Sequence, residues 1–415
     1  MDAEIVAIGS ELLSPHRQDT NSLFLTERLN TIGVEVRYKT VVGDRRQDLT
    51  SVARLAFSRA ELVIFMGGLG PTEDDLTREC VAEALGVELQ RDPEIIAELY
   101  KRFASRRMKM PPNNDRQADV LAGAEVLANP LGSAPGQFLK PQLNGKQKVV
   151  ILLPGPPHEL KPMFDQECME RLRSAVPQQF IATRVLRIAM MPESQCDARV
   201  APIYTRRPDV ETTILAGAGE VQLHMRARAN SREQAEASVV SLAEDLEEEL
   251  GDFVFSRAGE SLEQVIGYLL QLRNASVATA ESCTGGLLAQ RITSVSGSSK
   301  YFLGGAVVYS DELKSSLADV PAELIEKYGA VSQEVATGLA EGIRARCGAG
   351  YGIGITGIAG PTGGTAEKPV GLVFHAVADG GETQVIERKF PGDRERVRLW
   401  ASQQALDMLR RKLIS

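Results

Sequence analysis

Hydrophobic positions in the N-terminal part of the chain alternate between two periods. Short continuous apolar or β-branched runs, typical of buried strands, are separated by segments with helical spacing. Strands are predicted at 4–8, 34–42, 62–66 and 148–153, and helices at 21–29, 49–57 and 158–164. Such alternation is typical of βαβ units, so we predict a mostly parallel sheet with helices on both faces.

The pattern changes after about residue 170. Strands are predicted there at 184–190, 212–215 and 220–228, helices at 193–204 and 231–250, and a connector at 251–259. Alternation then returns, with helices at 262–272, 334–346 and 394–414 and strands at 276–280, 304–309, 351–355 and 371–377. We therefore predict an α/β protein in three parts: an α/β domain at 1–170, a small antiparallel α+β module at 171–255, and a second α/β domain at 256–415.

The composition of the chain argues against several classes of protein. A length of 415 residues fits two to four domains, and 43% hydrophobic residues exclude disorder as the main state. The net charge of −8 argues against direct nucleic-acid binding, and no apolar run approaches the length of a membrane span. The first residues lack the basic region of a secretory signal, and the five cysteines are scattered, so we expect a cytoplasmic protein without a disulfide or thiolate-zinc framework.

Glycines and polar residues gather where the N-terminal strands are predicted to end. In open α/β sheets ligands bind outside these carboxyl ends, and glycines let backbone N–H groups approach phosphates. We predict the binding residues Gly9, Glu11, Asn21, Gly67, Gly68, Gly70, Thr72 and Gly155. Thr72 is expected to cap the next helix, and Asp74 and Asp75 to hold a divalent cation such as Mg²⁺. The alternative is a Gly-Pro turn whose acidic residues only complement a helix dipole.

The residues at 9–12, 67–75 with Thr77, and 154–157 resemble the molybdopterin-binding domain family. The segments 19–21 and 132–136 are closest to the competence/damage-inducible CinA family. This resemblance implies a nucleotide-diphosphate site with metal-dependent ADP-ribose pyrophosphatase activity, or else a role in handling molybdopterin. The family usually has a glycine soon after the first Glu-Leu-Leu, where this chain has Ser14-Pro15-His16, so we expect a different loop path.

A second constellation lies in the C-terminal part. Ser282 follows a strand and precedes Gly285-Gly286, so its hydroxyl is expected at a helix N-terminus whose N–H groups could stabilise an oxyanion. The alternative is that Ser282 or Thr284 is only an N-cap. No histidine is close in sequence, which leaves Lys314 as candidate base, the alternative being a solvated helix-face lysine.

Two further residues offer rival chemistry: Cys283, which adjoins Ser282, and His375, which is distant in sequence. Cys283 is a rival nucleophile, but its side chain should point away from that of Ser282. His375 lies within an apolar strand run and is interpreted as a packing residue. Ser282 and Lys314 therefore remain the predicted nucleophile and base.

The segments 280–286, 308–310, 354–361 and 368–371 resemble the CinA C-terminal domain, a nicotinamide-nucleotide amidase (NMN deamidase). The resemblance implies Ser282 as nucleophile, Lys314 as base, and Tyr309 and Thr356 as residues that position substrate or oxyanion. Further substrate-binding candidates are Thr284, Gly285, Gly357, Gly360, Arg394 and Arg398, with Arg396 as an alternative phosphate contact. Where the family usually has Asn, this chain has Asp311, whose charge would disfavour a phosphate.

These observations predict an enzyme. It would hydrolyse nicotinamide mononucleotide (NMN) to nicotinate mononucleotide and ammonia without a cofactor, with a second, cation-dependent activity on ADP-ribose in the N-terminal domain. The alternative is a non-catalytic nucleotide- or molybdopterin-binding protein linked to competence or DNA damage. The family resemblance also implies a homodimer formed through the N-terminal domain, with no membrane partner.

Overall fold

The structure is a computed structural model that describes residues 1–176 and 179–415. The chain forms two compact units, Met1–Ile181 with Arg228–Ala235, and Ala182–Ala227 with Glu236–Ser415. Most of the predicted central module therefore belongs to the second unit. No helix in the described ranges combines the length and the apolarity needed to cross a bilayer.

The first unit is an α/β sandwich around a six-stranded sheet. The strands of this unit are β1 (Asp2–Ile8), β2 (Glu35–Val42), β3 (Leu62–Met66), β4 (Leu89–Arg91), β5 (Asp119–Leu121), β6 (Glu125–Leu127), β7 (Gly136–Leu139), β8 (Gln142–Leu143), β9 (Lys146–Gln147) and β10 (Val149–Leu153). Strands β4 and β5 form a separate two-stranded sheet, and so do β8 and β9. Its helices are α1 (Asn21–Asn30), α2 (Arg46–Arg59), α3 (Thr77–Leu85), α4 (Pro93–Ser105), α5 (Pro157–Met163) and α6 (Met169–Ala175). The sheet order is β2-β1-β3-β10-β7-β6, parallel from β2 to β10, with β7 and β6 antiparallel at one edge.

Alternate residues of β1 enter two separate cores. Ile5 packs with Leu25 of α1 on one face, and Val6 packs with Phe57 of α2 on the other. A parallel strand covered on both faces must be apolar throughout, which explains the continuous apolar runs in the sequence. The predicted mostly parallel sheet with helices on both faces is confirmed.

The central module is a β-α-β-β-α-β arrangement. It consists of β11 (Phe180–Ala189), α7 (Glu193–Tyr204), β12 (Val210–Gly217), β13 (Glu220–Ala229), α8 (Arg232–Leu250) and β14 (Val254–Ser256). The sheet order is β12-β13-β11-β14, and the pairs β12–β13 and β11–β14 are antiparallel. The expectation that 251–259 is only a connector is wrong, because β14 pairs with β11. Three residues are too few to show a period of two, so tertiary pairing decides this strand.

The C-terminal part of the second unit is again α/β. Its helices are α9 (Leu262–Leu272), α10 (Leu287–Thr293), α11 (Asp311–Ala318), α12 (Ala322–Tyr328), α13 (Gln333–Cys347) and α14 (Arg394–Ile414). Its strands are β15 (Val277–Glu281), β16 (Phe302–Val307), β17 (Tyr351–Gly357), β18 (Leu372–Ala378) and β19 (Thr383–Lys389). The order is β16-β15-β17-β18-β19. Strand β15 is parallel to both of its neighbours, and β18 and β19 are antiparallel.

The two faces of this second sheet carry different residues. Ile353 and Ile355 of β17 pack with the core formed by α9, α10 and α14, whereas Ala278 and Ala280 of β15 pack towards α11 and α13. This alternation of side-chain direction continues to the strand ends, so successive residues there face opposite sides of the sheet.

Candidate functional site

A cavity of about 850 Å³ lies at the carboxyl ends of β1, β3 and β10. The predicted residues that line it are Gly9, Glu11, Asn21, Gly67, Gly68, Gly70, Asp74, Asp75 and Gly155. They come from sequence segments as far apart as residues 9 and 155, so the parallel sheet brings them together. Thr72 was predicted with them and is not among the lining residues.

Two of these residues, Gly67 and Asn21, lie where backbone segments come close together. Gly67 has a φ of +99°, and a Cβ there would lie 2.3 Å from the carbonyl oxygen of Ile8. Asn21 Nδ2 donates a hydrogen bond of 2.8 Å to the carbonyl of Gly155, which ties α1 to the turn after β10. The glycine and the amide therefore shape the floor of the cavity.

Thr72 does not cap a helix, contrary to the sequence expectation. Helix α3 begins only at Thr77, with Leu76 before it. The Thr72 hydroxyl instead contacts the carboxylates of Asp74 and Asp75, and its N–H donates to Asp75 at 2.9 Å. The hydroxyl lowers the pKa of Asp74. Thr72 thus orders the acidic turn from outside the cavity.

The charges around this cavity decide which ligands fit. Its acidic lining residues are Glu11, Asp19, Asp44, Asp74, Asp75 and Glu159, against Arg17 and His158. Within the described ranges, no group of three or more His, Cys, Asp or Glu side chains is placed to hold a metal ion. Two carboxylates suffice for Mg²⁺ when substrate phosphates and waters complete its shell. Asp74 and Asp75 therefore fit a cation that arrives with a phosphate ligand.

Arg78 holds the glycine loop and was missed by the sequence analysis. It is 1% exposed, and its Nη1 and Nη2 donate to the carbonyls of Leu69 (2.8 Å) and Gly70 (3.0 Å). Burial lowers its pKa. An arginine at the start of a helix after an acidic string is typical of a solvated face, so the sequence contained no signal for this role.

Three neighbouring strand ends meet in the C-terminal part. Glu281 of β15 lies opposite Val307 of β16 and Ile355 of β17. The Ser282 N–H donates to the Ile355 carbonyl (2.9 Å), and the Val308 N–H donates to the Glu281 carbonyl (2.8 Å). Ser282, Tyr309 and Thr356 are the next residues along the chain after Glu281, Val308 and Ile355. The structure therefore brings these three predicted residues to one edge of the sheet.

Lys314 and Thr356 lie on the α11–α13 side of the sheet. Lys314 is 2% exposed, so the solvated alternative is wrong, and its Nζ lies 3.0 Å from Asp311 Oδ1. The Thr356 hydroxyl donates to the Ala330 carbonyl at 2.7 Å. No hydrogen bond joins Ser282 to Lys314 among the described residues. The predicted proton transfer from Ser282 to Lys314 therefore has no hydrogen bond in place among these residues.

The turn after Ser282 differs from the expected helix N-terminus. Helix α10 begins at Leu287, so neither Ser282 nor Thr284 is its N-cap, and Ser282 is only 9% exposed. The helix N–H groups expected for an oxyanion bind the carboxylate of Glu281 instead. In the ranges 1–176 and 179–415, the N–H groups of Cys283 and Thr284 donate to no other residue. They are the remaining candidate oxyanion donors.

The rival chemistry at Cys283 and His375 is buried in the core. Cys283 packs in the hydrophobic cluster with Ile355, and burial raises the pKa of its thiol to about 12. His375 is fully buried beside Phe390, and burial lowers its pKa to about 3. The interpretation of His375 as a packing residue is confirmed, and the Cys283 thiol is poorly suited to attack.

Two arginines at the start of α14 reach this edge. Arg394 donates to the Gly360 carbonyl (2.8 Å) and the Tyr309 hydroxyl (2.7 Å), and Arg398 donates twice to the Thr284 carbonyl (3.0 and 2.8 Å). Neither arginine has a carboxylate within 4.0 Å in the described part of the chain. They supply positive charge that no acidic side chain neutralises.

Glycines set the path of the surrounding loops. A Cβ at Gly357 would lie 2.7 Å from the Leu372 carbonyl, and Gly360 has a φ of +78°. Gly285 has a φ of +59° and faces Arg398. Of the predicted binding residues, Thr284, Gly285 and Gly360 thus lie in loops, whereas Gly357 belongs to β17 and Arg394 and Arg398 belong to α14.

Three family descriptions match successive parts of the sequence. Residues 4–174 match a probable molybdopterin binding domain, 183–256 the damage-inducible protein CinA KH domain, and 259–413 the CinA C-terminal domain. A CinA-like protein of Koribacter versatilis is 63% identical over 414 residues, and one of Acidobacterium capsulatum is 56% identical over 414 residues, each covering 100% of both chains. The crystal structure of competence/damage inducible protein CihA from Agrobacterium tumefaciens is 38% identical, with a TM-score of 0.36, and covers 37% of this chain and 94% of that one.

Proposed function

The chain belongs to the CinA family, and from this premise we propose that residues 256–415 hydrolyse the carboxamide of NMN to nicotinate mononucleotide and ammonia. The observation that carries the proposal is the convergence of three strand ends beside a buried lysine. Ser282 and Tyr309 lie just beyond the ends of β15 and β16, Thr356 lies near the end of β17, and the buried Lys314 lies on α11. A hydroxyl and a desolvated amine are the parts of a Ser–Lys hydrolase.

The proposed reaction proceeds through an acyl-enzyme. Ser282 Oγ bonds to the carboxamide carbon while its proton passes to Lys314 Nζ as the general base. The C–N bond then breaks, and Nζ returns the proton to the nitrogen, which leaves as ammonia. A water that gives its proton to the same Nζ then bonds to the ester carbon, the bond from that carbon to Ser282 Oγ breaks, and Nζ returns the proton to Oγ as nicotinate mononucleotide leaves. The N–H groups of Cys283 and Thr284 stabilise the oxyanion in both steps.

The arginines of α14 support a phosphate-bearing substrate. Among the residues that the structure describes, Arg394 and Arg398 donate only to carbonyls and a hydroxyl, so their charge remains available to an anion. In a chain with a net charge of −8, such local positive charge is needed to attract NMN. We propose that Arg394 contacts the phosphate and that Arg398 fixes the Thr284 turn.

For the first unit we propose a second activity, the hydrolysis of ADP-ribose to AMP and ribose 5-phosphate. The acidic lining of its 850 Å³ cavity supports a cation requirement, since six carboxylates repel a bare diphosphate. A bound divalent cation would neutralise that charge, with Asp74 and Asp75 as the carboxylates that hold it. Gly67, Gly68 and Gly70 let backbone N–H groups approach the phosphates.

One experiment tests both activities. The protein is incubated with NMN and with ADP-ribose, with and without Mg²⁺, and the products are identified by mass spectrometry. We expect ammonia from NMN without added metal, its loss in Ser282→Ala, and AMP from ADP-ribose only with metal. Undiminished ammonia release by Ser282→Ala would contradict the nucleophile. Tight binding of NMN or ADP-ribose without turnover would favour a non-catalytic binding protein.

We also propose a cytoplasmic homodimer that does not bind nucleic acid. The five free cysteines fit a reducing compartment. The central module has more acidic than basic residues and lacks the G-x-x-G loop with which KH domains clamp nucleotides. Light scattering should give twice the chain mass, and a monomer would contradict the dimer.

A further inference from the structure

Glu281 is a buried carboxylate directly before Ser282. It is 1% exposed, and it accepts three backbone hydrogen bonds, from Gly286 (3.0 Å), Leu288 (3.0 Å) and Ala289 (2.8 Å). Among the described residues no basic side chain lies within ion-pair distance of it. A buried charge is costly unless it is fully hydrogen-bonded, so this geometry must be specifically maintained.

The Glu281 carboxylate closes the loop between β15 and α10. Its backbone pairs with both neighbouring strands, while its side chain holds the first turn of the helix. Between these two anchors, the Gly285 N–H donates to the Ser282 carbonyl at 3.1 Å, and Arg398 holds the Thr284 carbonyl. The backbone of Ser282 is therefore fixed from both sides.

The same carboxylate occupies three N–H groups at the start of the helix. The helix N–H groups of Gly286, Leu288 and Ala289 are occupied by Glu281, whereas those of Cys283 and Thr284 remain without an acceptor in the described ranges. This leaves the N–H groups of Cys283 and Thr284 as backbone donors next to Ser282. The direction of that pair depends on the turn that Glu281 holds.

We infer that Glu281 is a positioning residue for amide hydrolysis, which orients Ser282 and the two adjacent N–H groups. This role rests on the proposed NMN amidase function. If the carboxylate merely stabilised the fold, its loss would lower the free energy of unfolding but would not lower kcat while leaving KM unchanged. Misplacement of the reacting groups lowers kcat by up to about 10²-fold, while the phosphate contact that governs binding persists.

The test compares Glu281→Gln with Glu263→Gln in the full-length protein. Glu263 is a partly buried carboxylate, 13% exposed, that pairs with Arg291 of α10 and has no hydrogen bond to residues 282–286 among the described contacts. The amide introduced by Glu281→Gln turns an NH₂ group towards backbone donors. We expect kcat for NMN to fall at least tenfold with KM within about twofold, faster amide exchange at Gly286, Leu288 and Ala289, and nearly unchanged kcat in Glu263→Gln.

Other results would overturn the role. Equal loss of kcat in both variants, or wild-type kcat in Glu281→Gln, would remove Glu281 as a positioning residue while leaving the amidase. If Glu281→Gln fails to fold, Glu281→Asp replaces it. This variant keeps the charge with a shorter reach, and wild-type kcat there would equally contradict the inference. A wild-type protein that releases no ammonia would overturn the amidase proposal itself, and this role with it.

Discussion

Lys314 and Asp311 form an ion pair in which the lysine is buried and the aspartate is exposed. Nζ lies 3.0 Å from Oδ1, and the side chains are 3% and 56% exposed. The two residues are one turn apart on α11, so the helix brings them together without help from the rest of the fold. The base proposed for the reaction is thus held by an acid at the site edge.

Replacing Asp311 should therefore improve the reaction. Asp311→Asn removes the ion pair and frees Nζ to accept the Ser282 proton, and it removes a charge that repels the NMN phosphate. Because partly exposed pairs contribute about 0.2–1 kcal/mol, kcat/KM for NMN should rise about two- to fivefold in an ammonia-release assay. Glu312→Gln removes an equal charge from the same turn and serves as control. A loss of activity in Asp311→Asn would show that the ion pair orients the base.

Arg394 should discriminate substrates by their phosphate. Arg394→Gln should raise KM for NMN about tenfold, because a hydrogen bond to a charged group is lost, and should leave hydrolysis of nicotinamide riboside, which lacks the phosphate, nearly unchanged. Arg396→Gln, which alters a neighbouring arginine of α14, is the matched control. Equal effects on both substrates would assign Arg394 to loop structure through Gly360 and Tyr309.

Cation dependence should be specific to the first unit. Chelation with EDTA and the variant Asp74→Ala should each abolish AMP formation from ADP-ribose while ammonia release from NMN persists, because the cavity of the first unit is lined by six carboxylates, Asp74 among them. Glu73→Gln is a suitable control, since Glu73 belongs to the same acidic string but is 96% exposed and does not line the cavity. Metal-independent formation of AMP would contradict the assignment of Asp74.

His375 should make the protein less stable in mild acid. Its pKa is about 3 in the folded chain and about 6.5 when unfolded, so only the unfolded state binds a proton between these values. Stability from this residue is therefore present above pH 6.5 and falls with decreasing pH, by at most about 1.4 kcal/mol per unit. Denaturant unfolding at pH 7 and pH 5 should show a smaller loss in His375→Leu than in wild type. His158→Leu, at an exposed histidine, should lose as much as wild type.

The sequence determined the elements and the places where chemistry gathers. Continuous apolar runs such as Leu62–Met66 and the helical spacing of Glu193–Tyr204 depend only on local periodicity, and the structure has both with these bounds. Because the carboxyl ends of neighbouring parallel strands meet at one edge, residues such as Gly9 and Gly155 could be grouped from sequence alone.

Only the tertiary structure decided which partner each side chain has. Thr72 looked like a helix cap, and no pattern singled out Arg78 or Glu281, yet these residues order an acidic turn, hold a glycine loop and fix the turn at Ser282. Periodicity tells whether a position is buried, because burial repeats with the strand or helix. A hydrogen-bond partner has no such period, since it is set by elements that meet only when the chain has folded.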